Sequence, residues 1–328
     1  MSRNSSVFEG TNGPFRDLTD YILGITHEIW ESRHVERIDE YYSRDCLIYT
    51  LGGMVHGANA IIENTRTTLR SFSDRLLLGE AVIGSRLGPG QFLSSHRIGS
   101  PMTHLGDLPY CKATGRKVFV RTIADCLVEN GKITKEWLVR DNYSLACQLG
   151  VDALLVARQM ADAQIAETCL WLNQERDRVS ASAPFYGSGE FDAVNAFEFA
   201  ASVIGRQWGS IGQSTLRSYY APYAVVYDSQ PLASGIESIE QYYHTLRSGV
   251  ADVTSAIDHV GVMDRGGGEY QVAARWSVAL EHAGDLWGLP SSGRRALILG
   301  VTHWQIVAGR IVAEWSIYDR VAVLAQLV

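Results

Sequence analysis

His104-Leu-Gly-Asp-Leu108 and His282-Ala-Gly-Asp-Leu286 are one motif written twice, 178 residues apart (282 − 104). Upstream, the same shift carries Trp30 to Trp208, Tyr41-Tyr42 to Tyr219-Tyr220, Tyr49 to Tyr227, Gly57 to Gly235 and Arg97 to Arg275. Downstream it carries Gly115-Arg116 to Gly293-Arg294, Gly131 to Gly309, Glu136-Trp137 to Glu314-Trp315, Asp141 to Asp319, and Gln148-Leu149 to Gln326-Leu327. Chance supplies isolated matches, but not one ungapped offset held from Trp30 onward. The chain is therefore a tandem duplication, and the fold is one that each copy builds for itself.

The wider sequence agrees. A chain of 328 residues suits two domains of ordinary size. With 46% apolar and 20% charged residues it reads as globular. A formal charge of −7 leaves no cationic excess for phosphates or an anionic lipid surface, so neither nucleic acid nor membrane is expected as a partner. The five cysteines, Cys46, Cys111, Cys126, Cys147 and Cys169, are odd in number and hold no C-x-x-C pair. They suggest neither a disulfide framework nor a zinc site, and a cytoplasmic location fits. The polar N-terminal stretch reads as neither a signal peptide nor a span.

Each copy runs in the same order. Leu18, Ile22, Ile25 and Ile29, like Phe197, Ala201, Ile204 and Trp208, fall at helical spacing. A short second helix ends at the paired tyrosines, and strands are expected at 46–50 and 224–228. Helical stretches follow at 58–70 and 236–248. Strands joined by glycine turns come last, closing in hairpins at Asn130-Gly131 and Ala308-Gly309. Helices first and antiparallel strands afterwards is the α+β order. The expected division is an arm at 1–17, a first domain at 18–150, a connecting helix and linker at 151–189, and a second domain at 190–328.

Glu281-His-Ala-Gly-Asp-Leu-Trp-Gly-Leu-Pro-Ser-Ser-Gly-Arg294 resembles the T-H-T-G-x-x-x-G-x-P-P-T-G-R segment of the SnoaL-like polyketide cyclases, part of the nuclear-transport-factor-2-like superfamily. Gly309-Arg-Ile-Val-Ala-Glu-Trp-Ser-Ile-Tyr-Asp319 resembles their closing G-K-I-x-E-x-W strand. The first copy departs from the pattern, with Pro109-Tyr-Cys-Lys112 where Gly-Leu-Pro is expected. The resemblance implies a cystatin-like α+β cone in each copy, in which a curved antiparallel sheet wraps over N-terminal helices around an apolar pocket. It implies catalysis without a cofactor or metal, by a buried carboxylate or histidine that moves a proton next to a carbonyl. It also implies pairing through the outer faces of the sheets. A duplication can satisfy that pairing inside one chain as a pseudo-dimer, with a homodimer of pseudo-dimers as the other assembly.

The candidate residues follow from aligning to this family. The cyclases' acid/base aspartate follows the tryptophan of the closing strand, at Leu138 and Ser316 here, and their assisting histidine falls at Ala124 and Thr302. A one-residue bulge would substitute Asp125 and His303 at the latter position. The base of the related ketosteroid isomerases aligns with Thr50 and Asp228. Strand alternation puts Glu136, Leu138 and Arg140, and Glu314, Ser316 and Tyr318, on the pocket side. Because Thr50 replaces the acid found at Asp228, the second copy is expected to hold the principal site. Asp228 would be the proton acceptor and His303 or Thr302 the donor, with Glu314 and His282 as further catalytic candidates. Thr302, Trp304, Ser316, Tyr318, Arg275 and Trp276 would line that pocket, with Glu136, His104 and Asp125 as first-copy candidates.

Plainer readings stay open. Asp228 can start a turn, Glu136 and Glu314 can be partners of Arg97 and Arg275, His104 and His282 can be satisfied by backbone, and His303 can be a packed side chain. The functions in view are a lyase, isomerase or cyclase acting on a small apolar carbonyl or hydroxylated compound, a non-catalytic small-molecule binder, and an epoxide hydrolase using a carboxylate pair.

Overall fold

A computed structural model describes residues 15–183, 191–209 and 216–328. Most of the arm at 1–17, and the linker residues 184–189, lie outside them.

Helix α1 (Leu18–Thr26) starts where Asp17 accepts the Asp20 N–H, and it buries Leu18, Ile22 and Ile25. A π-helical turn, His27–Glu31, carries Ile29 inward. Then come α2 (Ile38–Tyr41), β1 (Tyr42–Thr50), β2 (Gly53–His56), α3 (Ala58–Ser71), β3 (Leu78–Gly88), β4 (Gln91–Thr103), β5 (Lys117–Glu129) and β6 (Lys132–Arg140). Helices α4 (Asn142–Leu149), α5 (Ala153–Asp162) and α6 (Ala166–Ser180) lead to the second copy. It repeats the plan with α7 (Ala196–Trp208), β7 (Tyr220–Tyr227), β8 (Pro231–Ser234), α8 (Ile236–Ser248), β9 (Val250–Gly266), β10 (Glu269–His282), β11 (Arg295–Val307), β12 (Arg310–Tyr318) and α9 (Arg320–Leu327).

Among the described residues each copy has one six-stranded sheet, ordered β2-β1-β6-β5-β4-β3 and β8-β7-β12-β11-β10-β9. The equivalent strand order is what the constant offset requires. Three details depart from the expectation. The sheets are not wholly antiparallel, because β1 pairs parallel with β6 and β7 with β12. The crossing through α3 takes the chain to the far edge, and the meander β3–β6 returns beside β1 running the same way. The connecting helix is two helices, broken after Asp162. Phe197 is 53% exposed, because Phe199, Ala200, Val203 and Ile204 supply the buried face of α7.

The repeated motif is a clasp. His104 N–H donates to the Arg116 carbonyl and Gly115 N–H to the His104 carbonyl, pinning the loop between them. Gly106 N–H donates to the Ser71 carbonyl at the end of α3, so close that a Cβ on Gly106 would lie 2.3 Å from the Arg70 carbonyl oxygen. Gly284 meets Ser248 at 2.4 Å in the same way. The glycine is there because backbone abuts backbone.

The two sheets meet by their outer faces within the chain. Trp137 stacks on Tyr49 and lies 3.6 Å beneath the Arg275 guanidinium, while Trp315 stacks on Tyr227 and lies 3.7 Å beneath that of Arg97. These contacts exchange under the 178-residue shift, as an isologous interface demands. Helix α5 packs on α9 through Val156, Ala157, Val321 and Leu324, while α6 lies along β9, β10 and β11. No helix among the described residues is long and apolar enough to cross a membrane.

Candidate functional site

Strand register decides which side chains face each interior. In the first copy, Ile48, Glu136, Cys126 and Ser94 form one row across four strands, His96, Ala124 and Leu138 the next, and Ile98, Thr122 and Arg140 the third. The alternate rows carry Tyr49, Trp137, Asp125 and Ser95, then Arg97, Ile123 and Val139. The first set faces the cone and the second faces the other domain. Between β5 and β6 and between β11 and β12 the register does slip by one residue, but at Leu127/Val128 and Gln305/Ile306, nearer the hairpins, and the pairs β4–β5 and β10–β11 keep register throughout. Ala124 and Thr302 therefore keep their inward positions, and Asp125 and His303 keep their outward ones.

A cavity of about 440 Å³ opens in the first cone, within the range of small-molecule sites. Ile22, Ile25, Ile48, Ile61, Leu69 and Ile98 make apolar wall, and Trp30 adds a ring. Its polar groups are few. Tyr42 donates its hydroxyl to Glu136 Oε2 at 3.0 Å, and Glu136 has no other hydrogen-bond partner among the described residues. Burial pushes the Glu136 carboxyl above its ordinary value, with the Tyr42 hydrogen bond and Arg140 opposing. His96 is 3% exposed, and neither ring nitrogen has a hydrogen-bond partner among the described residues. Burial pulls its pKa down to about 4, so the ring is neutral near pH 7. Arg75 and Arg140 bring two guanidiniums to the same lining. Among the described residues no group of three or more His, Cys, Asp and Glu is placed to hold a metal ion.

The second cone is a packed core. Under the shift, Ile98 becomes Trp276, Cys126 becomes Trp304, Thr65 becomes Tyr243 and Arg140 becomes Tyr318. Each is at most 7% exposed. Thr122 becomes Gly300, where an added Cβ would lie 2.2 Å from the Trp276 ring, so the glycine makes the room the indole occupies. Trp276 Nε1 donates to Thr302 Oγ1 at 2.9 Å, and Thr302 and Ser316 share a 2.9 Å hydrogen bond. Glu314 accepts from Tyr220, from Tyr243 at 2.5 Å, from Trp304 Nε1 at 2.8 Å and from Gln207 Nε2 at 3.0 Å. Of these four donors only the tyrosine equivalent to Tyr220 survives in the first copy. Ile29, Thr65 and Cys126 stand in place of Gln207, Tyr243 and Trp304.

Several expectations need correction. Asp228 lies at the seam between domains, with both carboxylate oxygens engaged. Its Oδ1 accepts the Gln230 N–H at 2.7 Å and its Oδ2 pairs with Arg320, which also reaches Asp141 at 3.2 Å. It is a turn residue and an interdomain clamp. His303 is at the same seam, bonded to Ser95 at 2.8 Å, and burial pulls its pKa well down. Arg275 and Asp125 pair there with each other at 3.2 Å. Arg97 pairs with Glu80 at 2.9 Å, so neither arginine is the partner of Glu136 or Glu314. His104 and His282 sit in the clasps, where Nδ1 accepts from the N–H of Thr114 at 3.2 Å and Ser292 at 3.1 Å. Thr302, Trp304, Ser316, Tyr318, Trp276 and Glu314 do face the second interior, but as its filling. The cavity described above is in the first copy; of the residues expected to act or to line a pocket Glu136 is among its lining, as are the aligned positions Thr50, Ala124 and Leu138.

Sequence reasoning missed Tyr42, Arg75, His96 and Cys126, and it placed Arg140 by parity without assigning it a role. The usable signal was the departures between copies at cone-facing positions, where His96 answers Ala274 and Arg75 answers Val253.

The sequence model described as SnoaL-like polyketide cyclase matches residues 21–149 and again 202–327. No curated protein matches the chain. Among solved structures, IdmH from Streptomyces antibioticus is 22% identical, over 40% of this chain and 98% of its own, with a TM-score of 0.35. TsrD from Streptomyces laurentii is 16% identical, over 41% and 96%, with a TM-score of 0.36. A SnoaL-like polyketide cyclase from Agrobacterium tumefaciens is 15% identical, over 42% and 100%, with a TM-score of 0.35.

Proposed function

Because the chain belongs to the SnoaL-like polyketide cyclase family, we propose that its first copy is the working half and moves a proton on a small carbonyl compound, with Glu136 as proton acceptor. One observation carries this reading. The same glutamate occurs twice, held by four donors in a filled interior at Glu314 and by one donor beside a cavity at Glu136. A carboxylate with one donor, kept from bulk water, has the raised basicity that carbon-acid chemistry needs. In this reading Glu136 removes a proton from the carbon next to a carbonyl. The neutral His96 ring donates a hydrogen bond to the enolate oxygen. After the bond rearrangement that defines a cyclase, isomerase or lyase, Glu136 returns the proton.

The binding-only alternative draws support from Ala124 and Leu138, which cannot titrate where the family's cyclases carry acid/base groups. Epoxide hydrolysis by a carboxylate pair does not fit, since Glu136 is the one carboxylate among the lining residues described.

Hydrogen exchange in D2O tests the reading without the natural product in hand. Aryl 1,3-diketones and β-keto esters should exchange their acidic C–H faster with the protein than without it. Glu136→Gln should lower that acceleration by about 10² to 10⁴, while Asp228→Asn should retain it. Acceleration that survives Glu136→Gln would sink the assignment, and binding without acceleration would establish the alternative.

A further inference from the structure

The cavity lining holds two guanidiniums, Arg75 and Arg140, that make no ion pair, with Glu136 as its one acid. Arg75, on the turn between α3 and β3, is 9% exposed, its Nε has no hydrogen-bond partner, and its one side-chain bond is a long 3.4 Å contact to Ser100 Oγ. Arg33 donates to the Arg75 carbonyl at 2.9 Å and adds a second cation behind it. Arg140 ends the row of Ile98 and Thr122; it is exposed, no residue among those described hydrogen-bonds or ion-pairs with its guanidinium, and Glu136 acts on it only at longer range. Asp319 stands near Arg140 but is engaged by Asn142 and by the N–H groups of Val321 and Ala322.

Of the two, Arg75 is buried, and other enclosed arginines of this chain are treated differently from it. Arg97 lies on Glu80, Arg275 on Asp125, and Arg320 on Asp141 and Asp228. An enclosed guanidinium without an acid is costly, and the cost is felt here, since burial drags Arg75 down to about 9. Where the cone is filled, both positions lose their charge, to Val253 and Tyr318. Cations and cavity therefore occur together, as they would if a ligand supplied the missing anion.

We propose that the ligand of this cavity is an organic monocarboxylate with an apolar, ring-sized body, its carboxylate held by Arg75 and Arg140 and its remaining length laid along the isoleucine wall toward Glu136. The guanidinium fork matches a carboxylate in two parallel hydrogen bonds. The apolar wall selects against a small hydrated anion. This deepens the proton-transfer reading by naming the substrate class, and it orients the molecule so that a carbonyl remote from the carboxylate meets the base.

The test is calorimetric titration of the full chain with a panel of aromatic monocarboxylates, 2-naphthoate among them, each beside its neutral primary amide, and with inorganic phosphate. The acids should bind at least about tenfold more tightly than their amides. Arg75→Met and Arg140→Met should each reduce that preference, and Arg75→Met should do so with a melting temperature at or above wild type, because it removes a buried cation that has no acid. Equal binding of acid and amide, no binding by any acid of the panel, or a preference unchanged in both variants would overturn the inference. Phosphate binding as tightly as naphthoate would overturn the claim about the apolar body. Glu136→Gln should keep the acid preference while losing exchange. Failure of the proton-transfer reading and failure of this one therefore give different patterns.

Discussion

Glu136 and Glu314 are one residue in two electrostatic settings, and the contrast can be measured. Glu314→Gln places an amide NH2 among four donors, so it should cost about 2 to 4 kcal/mol in urea unfolding. Glu136→Gln should be neutral in acid and stabilising above it. The sign follows from the raised carboxyl. Below its ordinary value near 4.3, folded and unfolded chains both carry the proton. As pH rises, the unfolded chain ionises first and the fold loses relative stability until Glu136 ionises in place. The advantage of the glutamine variant should therefore grow as pH rises above the ordinary carboxylate range and level off once Glu136 ionises in the fold, and an unfolding midpoint difference independent of pH would contradict this. The rate should follow the same group, with an acid limb above the ordinary carboxylate range. His96, already neutral above about 4, should lower the rate when replaced by Gln without moving that limb.

At the scale of elements, the order of helices and strands was legible because alternation and helical spacing survive in both copies. The inward parity of β6 and β12 was legible too, through Glu136 and Glu314. The cavity was not, and the reason is physical. Repetition marks what both halves need, which is the clasp at His104 and His282 and the seam residues Arg97, Trp137, Arg275 and Trp315. Asp228 attracted attention as an acid unique to one copy, yet its partner Arg320 is equally unique, standing where the first copy has Asn142, and the two pair as a clamp. Volume is invisible to such reasoning, since Ile98 against Trp276 is conservative by hydrophobicity and decisive by size. Writing the second cone into the first tests this. Ile98→Trp with Thr122→Gly should keep a wild-type fold by circular dichroism and abolish ligand binding. The reverse step, Trp276→Ala, leaves a void and should cost about 3 to 5 kcal/mol. Retained ligand binding in the double variant would mean that the cavity is not the site.

For the whole molecule, the exchange of Arg97–Trp315 for Arg275–Trp137 makes the seam self-complementary, and α5 and α6 seal it from the side. The halves should therefore melt together. Scanning calorimetry is expected to give one transition whose calorimetric and van't Hoff enthalpies agree, and Arg97→Ala and Arg275→Ala should lower its midpoint by similar amounts. Two separated peaks would mean that the halves fold independently. The filled second cone has a further consequence, for saturation behaviour. A pair of identical domains joined at one seam would carry two like sites able to influence each other's affinity. This chain keeps the pair but fills one of the two interiors, so ligand should bind with a stoichiometry of one per chain and a Hill coefficient of one, the protein saturating along a plain hyperbola where its paired architecture would suggest a switch.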